Sequence, residues 1–243
     1  RFLLAWGLAL CVSSAMAAVQ PPPKLPADAY FILDASTGEV LVDHKGDLSL
    51  PPASLTKIMT GYVLADEVDS GRASLDDIIS VSRTAWSQNP TFKGSSLMWI
   101  EPGKPVSLAD LERGVVISSG NDASVAVAEH LAGTEASFVD VMNQLAGELG
   151  LDNTVYRNPH GLPHPDHRTT ARDLATLSVA LINNHPEHYK IYKEQSFTYN
   201  GIKQYNRNSL LRSDSSVDGL KTGYTSEAGY GLVASAQREG MRL

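Results

Sequence analysis

Pro51-Pro52-Ala53-Ser54-Leu55-Thr56-Lys57-Ile58-Met59 marks the point where extended chain stops and helix begins. The two prolines lack the N–H groups that a continuing strand needs, and they leave Ser54 at a helix start. Leu55, Ile58, Met59, Tyr62 and Val63 then recur at helical spacing, which predicts a largely buried helix from Ser54 to about Val68. Ser54 and Lys57, three residues apart, share a face of it. A serine hydroxyl is a weak nucleophile until a base takes its proton, and an ammonium cannot. A lysine buried among Leu55, Ile58 and Met59, near a second cation, is shifted toward the free amine that can. The unpaired backbone N–H at the helix start can also face an oxyanion.

Upstream, Tyr30-Phe31-Ile32-Leu33-Asp34 and Glu39-Val40-Leu41-Val42-Asp43 flank Ala35-Ser36-Thr37-Gly38, which predicts a β-hairpin with Gly38 at positive φ. Downstream, residues 70–190 have the texture of helices and loops. Val125, Ala128 and Leu131 mark one helix; Phe138, Val141, Met142, Leu145 and Leu149 mark another, closed by Gly150. Thr170-Ala171-Arg172-Asp173 fits a capping box ahead of the Leu174, Leu177, Leu181 stripe. After Pro186 the texture turns to strands: Phe197-Thr198-Tyr199, Val217 to Thr222 and Tyr230 to Ser235, with Gln237-Arg238-Glu239-Gly240 turning into Met241-Arg242-Leu243. Strands, helices, then strands predict a mixed α/β (α+β) fold. In it both chain ends form one antiparallel sheet, the first hairpin pairing with the last strands, with a helical subdomain between.

Two further strings carry chemistry. Ser119-Gly120-Asn121 falls in a loop just before a helix; Ser119 can pass a proton to a leaving amine, and Asn121 can hold a substrate amide and bond Lys57. Lys221-Thr222-Gly223 ends a strand. Lys221 and Thr222 can bind a carboxylate, and Lys221 is also the second cation for Lys57. Gly223 lets a substrate backbone lie along the edge, and the Tyr224 N–H can supply another oxyanion donor. Each string is weak alone; in this order and spacing they point to acyl transfer through serine.

At 243 residues, with 42% hydrophobic and 19% charged residues, the chain suits one substantial globular core. A net charge of −7 and no basic stripe argue against nucleic acid. Phe2 to Val12 is an apolar run followed by Ala15-Met16-Ala17, so 1–17 is expected to be a signal peptide, with a proline-rich lead-in over 18–29 and the catalytic domain over 30–243. The run is short of the roughly 20 apolar residues that span a bilayer. Cys11 is the only cysteine and leaves with that leader, so neither disulfide nor thiol chemistry is expected in the mature protein. The missing initiating Met and the strand that stops at Leu243 suggest a fragment of a longer reading frame, with the domain incomplete at its C-terminus.

On these residues the chain resembles the D-alanyl-D-alanine carboxypeptidases of the low-molecular-mass penicillin-binding proteins (penicillin-binding protein 5/6 group, peptidase family S11). The resemblance runs from about Tyr30 to Leu243. Besides the three strings it includes Phe92-Lys93-Gly94-Ser95-Ser96-Leu97-Met98, Asp122-Ala123, His160-Gly161-Leu162, Asn206-Arg207-Asn208 and Val217-Asp218-Gly219-Leu220. It implies the β-lactamase/DD-peptidase fold, no cofactor, and an acyl-enzyme on Ser54 made from a peptidoglycan stem peptide ending in D-Ala-D-Ala. It further implies β-lactams as covalent inhibitors, a periplasmic location, and inner-membrane attachment through a C-terminal region. Arg207 matches a family position that lines the site and can steer the terminal carboxylate.

Three rival readings share part of this pattern. A class A β-lactamase needs a glutamate on the loop between the second and third strings. The stretch Tyr156 to His167 has none, only Asp166, and Gly120 stands where those enzymes carry Asp. A metal site at His160, His164 and His167 lacks an H-E-x-x-H pattern, and Pro163 and Pro165 deny it a helix. A catalytically slow penicillin-binding scaffold shares every motif.

Overall fold

The computed structural model describes residues 24–243; the predicted leader, Cys11 and the first part of the lead-in lie outside them. The chain opens with a hairpin of β1 (Tyr30–Leu33) and β2 (Val40–His44), with Gly38 at φ +76° as its turn requires. A 3₁₀ turn over Ala53–Thr56 leads into α1 (Lys57–Asp69), whose first nine residues are all buried. A helix buried all round sits at the centre of a domain, not on its surface.

Around α1 the middle of the chain forms short β3 (Ile78–Ile79) paired with β4 (Val106–Ser107), then α2 (Leu108–Arg113), α3 (Asn121–Ala132) and α4 (Glu135–Glu148). The amphipathic α5 (Ala171–Asn184) buries Leu174, Leu177 and Leu181 as their spacing predicts. Its cap is half of the predicted box. Thr170 accepts from the Asp173 N–H, but the Asp173 carboxylate turns away to take the Thr154 hydroxyl and the Asn153 N–H.

Past Pro186 the structure departs from the strand expectation. A helical turn, α6 (Pro186–Tyr189), and a 3₁₀ turn over Lys190–Lys193 come first, because Pro186 at a first helical position favours helix. A separate hairpin of β5 (Ser196–Tyr199) and β6 (Ile202–Tyr205) follows, then α7 (Leu210–Ser213). The last antiparallel sheet runs β7 (Val217–Thr225), β8 (Gly229–Arg238), β9 (Met241–Arg242).

The α+β class is as predicted, but the single sheet is corrected. The β1–β2 pair and the β7–β8–β9 ladder are distinct, joined by one backbone hydrogen bond from Ala35 N–H to the Arg242 carbonyl at 2.7 Å. β9 spans only Met241–Arg242, and the flanking Leu243 pairs with Ala236, on the β8 side. Among the described residues no helix is long and apolar enough to cross a membrane.

The buried Glu112 of α2 hydrogen-bonds the buried His188 of α6. Asp69 at the end of α1 approaches the other ring nitrogen of His188 at 3.6 Å and binds His185 at 2.6 Å. Glu112, ahead of Asp69 and Glu187, holds His188 above the ordinary histidine value. A group whose pKa is raised on folding stabilises fully below its unfolded value, and that contribution fades as pH rises through the folded one. The His188 contribution, read as the difference in urea-unfolding free energy between wild type and His188→Gln at each pH, is therefore expected to shrink as pH rises above about 6.5, the unfolded histidine value.

Candidate active site

Ser54 lies in the 3₁₀ turn, partly accessible, at the floor of a cleft of about 660 Å³. One turn on, Lys57 has no solvent exposure, and its Nζ sits 3.3 Å from Ser54 Oγ. The same Nζ donates to Asn121 Oδ1 at 2.7 Å and to the His160 carbonyl at 2.6 Å. A neutral amine has two N–H donors and one lone pair. Two carbonyl acceptors take the donors, which leaves the lone pair for the serine hydroxyl. Burial, then the charges of Lys221 and Arg207, hold Lys57 well below the ordinary lysine value, against an opposing pull from Asp122.

Ser119 is delivered by an unusual backbone. A π-helical turn over Gly114–Ser118 ends with Ser119 in the left-handed region at φ 61°, a conformation that non-glycine residues take uncommonly. The Gly114 carbonyl accepts from Gly120 N–H and from the Ser118 hydroxyl. Lys221 Nζ donates to the buried Ser119 Oγ at 2.9 Å. Burial, then Arg207, pushes Lys221 down to about 7. Arg207 is exposed on the cleft wall and its Nε reaches the Ser118 carbonyl at 3.3 Å. Its two asparagine neighbours are structural: Asn206 binds the Tyr192 and Glu194 carbonyls, and Asn208 binds that of Gly219.

The structure thus brings Ser54, Lys57, Ser119, Asn121 and Lys221 into one hydrogen-bonded group, with Arg207, Thr222, Gly223 and Tyr224 lining the same cleft. Packing adds a second constraint at Gly223. A Cβ on it would press on Leu55 and the Pro52 carbonyl, and one on its register partner Gly231 on Leu55 as well. The pair lets the sheet settle against the turn that holds Ser54.

Several contributors carry no sequence signal of their own. His160 offers a backbone carbonyl, while its ring, kept neutral by burial and Lys57, accepts from Leu162 N–H. Gly161, at φ +90°, passes so close over Ala53 that any Cβ would collide with the Ala53 carbonyl. The loop is bound to α1 and to the turn before it at further points: Thr60 donates to the Pro159 carbonyl at 2.6 Å, and Thr56 meets His167 at 2.9 Å. His164, the remaining histidine of this stretch, is exposed and accepts from Asp166 N–H. Asp122 accepts from the Met98, Trp99, Ile100 and Ala123 N–H groups and ties that loop to α3. Gly120 is packed against Met98, with no room for a side chain.

Among the described residues no carboxylate lines the cleft, and Asp166 is exposed, 3.8 Å from Arg157. That arrangement offers no counterpart of the deacylating glutamate of class A β-lactamases.

The family model for D-alanyl-D-alanine carboxypeptidases, Peptidase S11, matches residues 15–243. The chain is 48% identical over 223 residues to the D-alanyl-D-alanine carboxypeptidase DacC of Escherichia coli strain K12, covering 91% of this chain and 56% of that protein. It is 46% identical to DacA of the same strain, covering 91% and 55%. The chain therefore spans about half the length of the curated relatives it matches. Penicillin binding protein 5 from Haemophilus influenzae superimposes with a TM-score of 0.89 at 44% identity, covering 92% of this chain and 65% of that one.

Gly161→Ala is expected to lower stability by about 1–3 kcal/mol through backbone strain and collision. Calorimetry should register the loss, and a crystal structure of the variant should show Ala53 and Ser54 displaced.

Proposed function

This chain belongs to the D-alanyl-D-alanine carboxypeptidase family, and on that premise we propose that it removes the terminal D-alanine from peptidoglycan stem peptides through an ester on Ser54. The observation that carries this proposal is the buried Lys57 amine, with both N–H donors taken by carbonyls and Ser54 Oγ 3.3 Å away.

In this mechanism Ser54 Oγ attacks the carbonyl of the penultimate D-alanine while Lys57 Nζ takes its proton. The backbone N–H groups of Ser54 and Tyr224 stabilise the oxyanion. Ser119, polarised by Lys221, passes a proton to the departing D-alanine amine. Lys221, Thr222 and Arg207 hold the terminal carboxylate, Gly223 keeps the strand edge open, and Asn121 Nδ2 donates to a substrate carbonyl. Water then hydrolyses the ester. A β-lactam presents an amide carbonyl and a carboxylate to the same groups, so we propose that it acylates Ser54 and hydrolyses slowly.

Export to a periplasm belongs to the same proposal and is supported by the leader-like run before Ala17. Contact with the inner-membrane surface, through sequence outside this chain, rests on the resemblance alone.

With a peptide ending in D-Ala-D-Ala and a fluorescent penicillin, Ser54→Ala should release no D-alanine and take no label. Lys57→Ala should slow acylation by roughly two to four orders of magnitude; activity near wild type in either variant refutes the assignment.

The pH dependence follows from the same groups. Lys57 is a base only when neutral, so acylation should fall as pH drops through its lowered pKa. Lys221 binds a carboxylate only when charged, so kcat/KM should fall again above about 7. Lys221→Arg, charged throughout, should lose the alkaline limb and keep the acid one.

A further inference from the structure

The stretch from Tyr156 to His167 holds one more buried group that the steps above leave unused. His167 is 2% exposed, and its ring stands edge-on to that of the buried Tyr156, with centroids 5.8 Å apart. Its Nε2 lies 2.9 Å from Thr56 Oγ1, and the Thr56 hydroxyl donates to the Ala53 carbonyl at 2.8 Å. A hydroxyl has one proton, and a carbonyl can only accept. The Thr56 proton is committed to Ala53, so the hydroxyl oxygen accepts and His167 Nε2–H donates. Nδ1 then keeps the lone pair, and it has no hydrogen-bond partner among the described residues. Burial, then His164, Arg157 and Arg168, pushes the ring down to about 4, which keeps it in this neutral form.

The relay ends on the peptide group that joins Ala53 to Ser54. A trans peptide is planar and sets its C=O and N–H on opposite sides, so a bond that fixes the Ala53 carbonyl also fixes the direction of the Ser54 N–H. That N–H belongs to the unpaired donors at the helix start and is an oxyanion donor in the mechanism above. This peptide needs holding. Ala53 sits at φ +47°, a left-handed conformation that persists in a residue with a Cβ only where its surroundings impose it. Gly161 covers the same carbonyl, so two points of one loop grip one peptide.

Resting on acylation at Ser54, we propose that His167 is a positioning residue for the oxyanion site. Through Thr56 it holds the Ala53–Ser54 peptide with the Ser54 N–H turned toward the reacting carbonyl. It touches no substrate and moves no proton.

The test compares His167→Met with His167→Gln on the intact protein. The two side chains are close in length and volume, and only glutamine keeps an N–H donor for Thr56. The readouts are the rate constant for fluorescent-penicillin labelling and kcat/KM for D-alanine release from acetyl-Lys(Nε-acetyl)-D-Ala-D-Ala. His167→Met should lower both by about ten- to a hundredfold, a part of what losing an oxyanion donor outright costs, and His167→Gln should restore most of the loss. Thr56→Val, which removes the relay and keeps the shape, should lose a similar factor. The double variant His167→Met with Thr56→Val should then lose little more than either change alone. Equal rates in His167→Met and His167→Gln, or losses that multiply in the double variant, overturn the assignment. Labelling run to completion counts reactive molecules, so every rate is read per active protein. Should His167→Met yield no reactive protein, Thr56→Val carries the test, and a wild-type rate there overturns it. Wild type that takes the label but releases no D-alanine would overturn the carboxypeptidase reading alone, and the labelling rates would still decide the role of His167.

Discussion

A lysine with no solvent exposure must either keep its charge at a large desolvation cost or give up the proton. Lys57 is placed so that giving it up leaves every hydrogen-bonding position filled: two carbonyls take the N–H groups and a hydroxyl faces the lone pair. The surrounding fold can be understood as what it takes to hold those three partners around one nitrogen. The helix start brings Ser54, the head of α3 brings Asn121, and the loop from Tyr156 to His167 brings the His160 carbonyl. Lys221 adds a second cation that resists recharging.

Each partner is held by contacts remote from the nitrogen itself. Thr60 and Thr56 fix the loop to α1 and the turn before it, and Gly161 lets it cross Ala53 without a side chain in the way. Asp122 gathers consecutive N–H groups of the 98–100 loop, which closes against Gly120 beside the Ser119 turn. Its carboxylate is pushed up by burial and pulled down by those same N–H groups. The Gly223 and Gly231 pair lets the last sheet rest on Leu55, so Lys221 reaches Ser119. These are packing constraints, and they set the electrostatics of the lysine pair.

Much of this was legible because side chains at fixed spacing leave a trace. Ser54 with Lys57, the head of α3, the Leu174 stripe and the first hairpin all follow from periodicity and turn chemistry. A backbone carbonyl leaves none: His160 suggested an imidazole role, yet it is its main-chain oxygen that meets Lys57. The π-helical turn over Gly114–Ser118 has no sequence pattern, since its five-residue bonding depends on packing around Gly114 against Met98. The β5–β6 hairpin was half seen, because Ile202 to Tyr205 alternates weakly and exposes three of its four residues. The single continuous sheet could not be read from the sequence because strand pairing is a long-range property: β1–β2 and β7–β8–β9 form separate ladders that meet at Ala35 and Arg242.

The protonation state of Lys57 can be observed directly. In protein carrying ¹³C at the lysine Cε, the Lys57 resonance, assigned by its loss in Lys57→Ala, can be followed from pH 5 to 11 by NMR. A midpoint well below the ordinary lysine value of about 10.4 is the predicted result. A Lys57 that stays charged until the ordinary value would contradict it, and the proton of Ser54 would then need another acceptor.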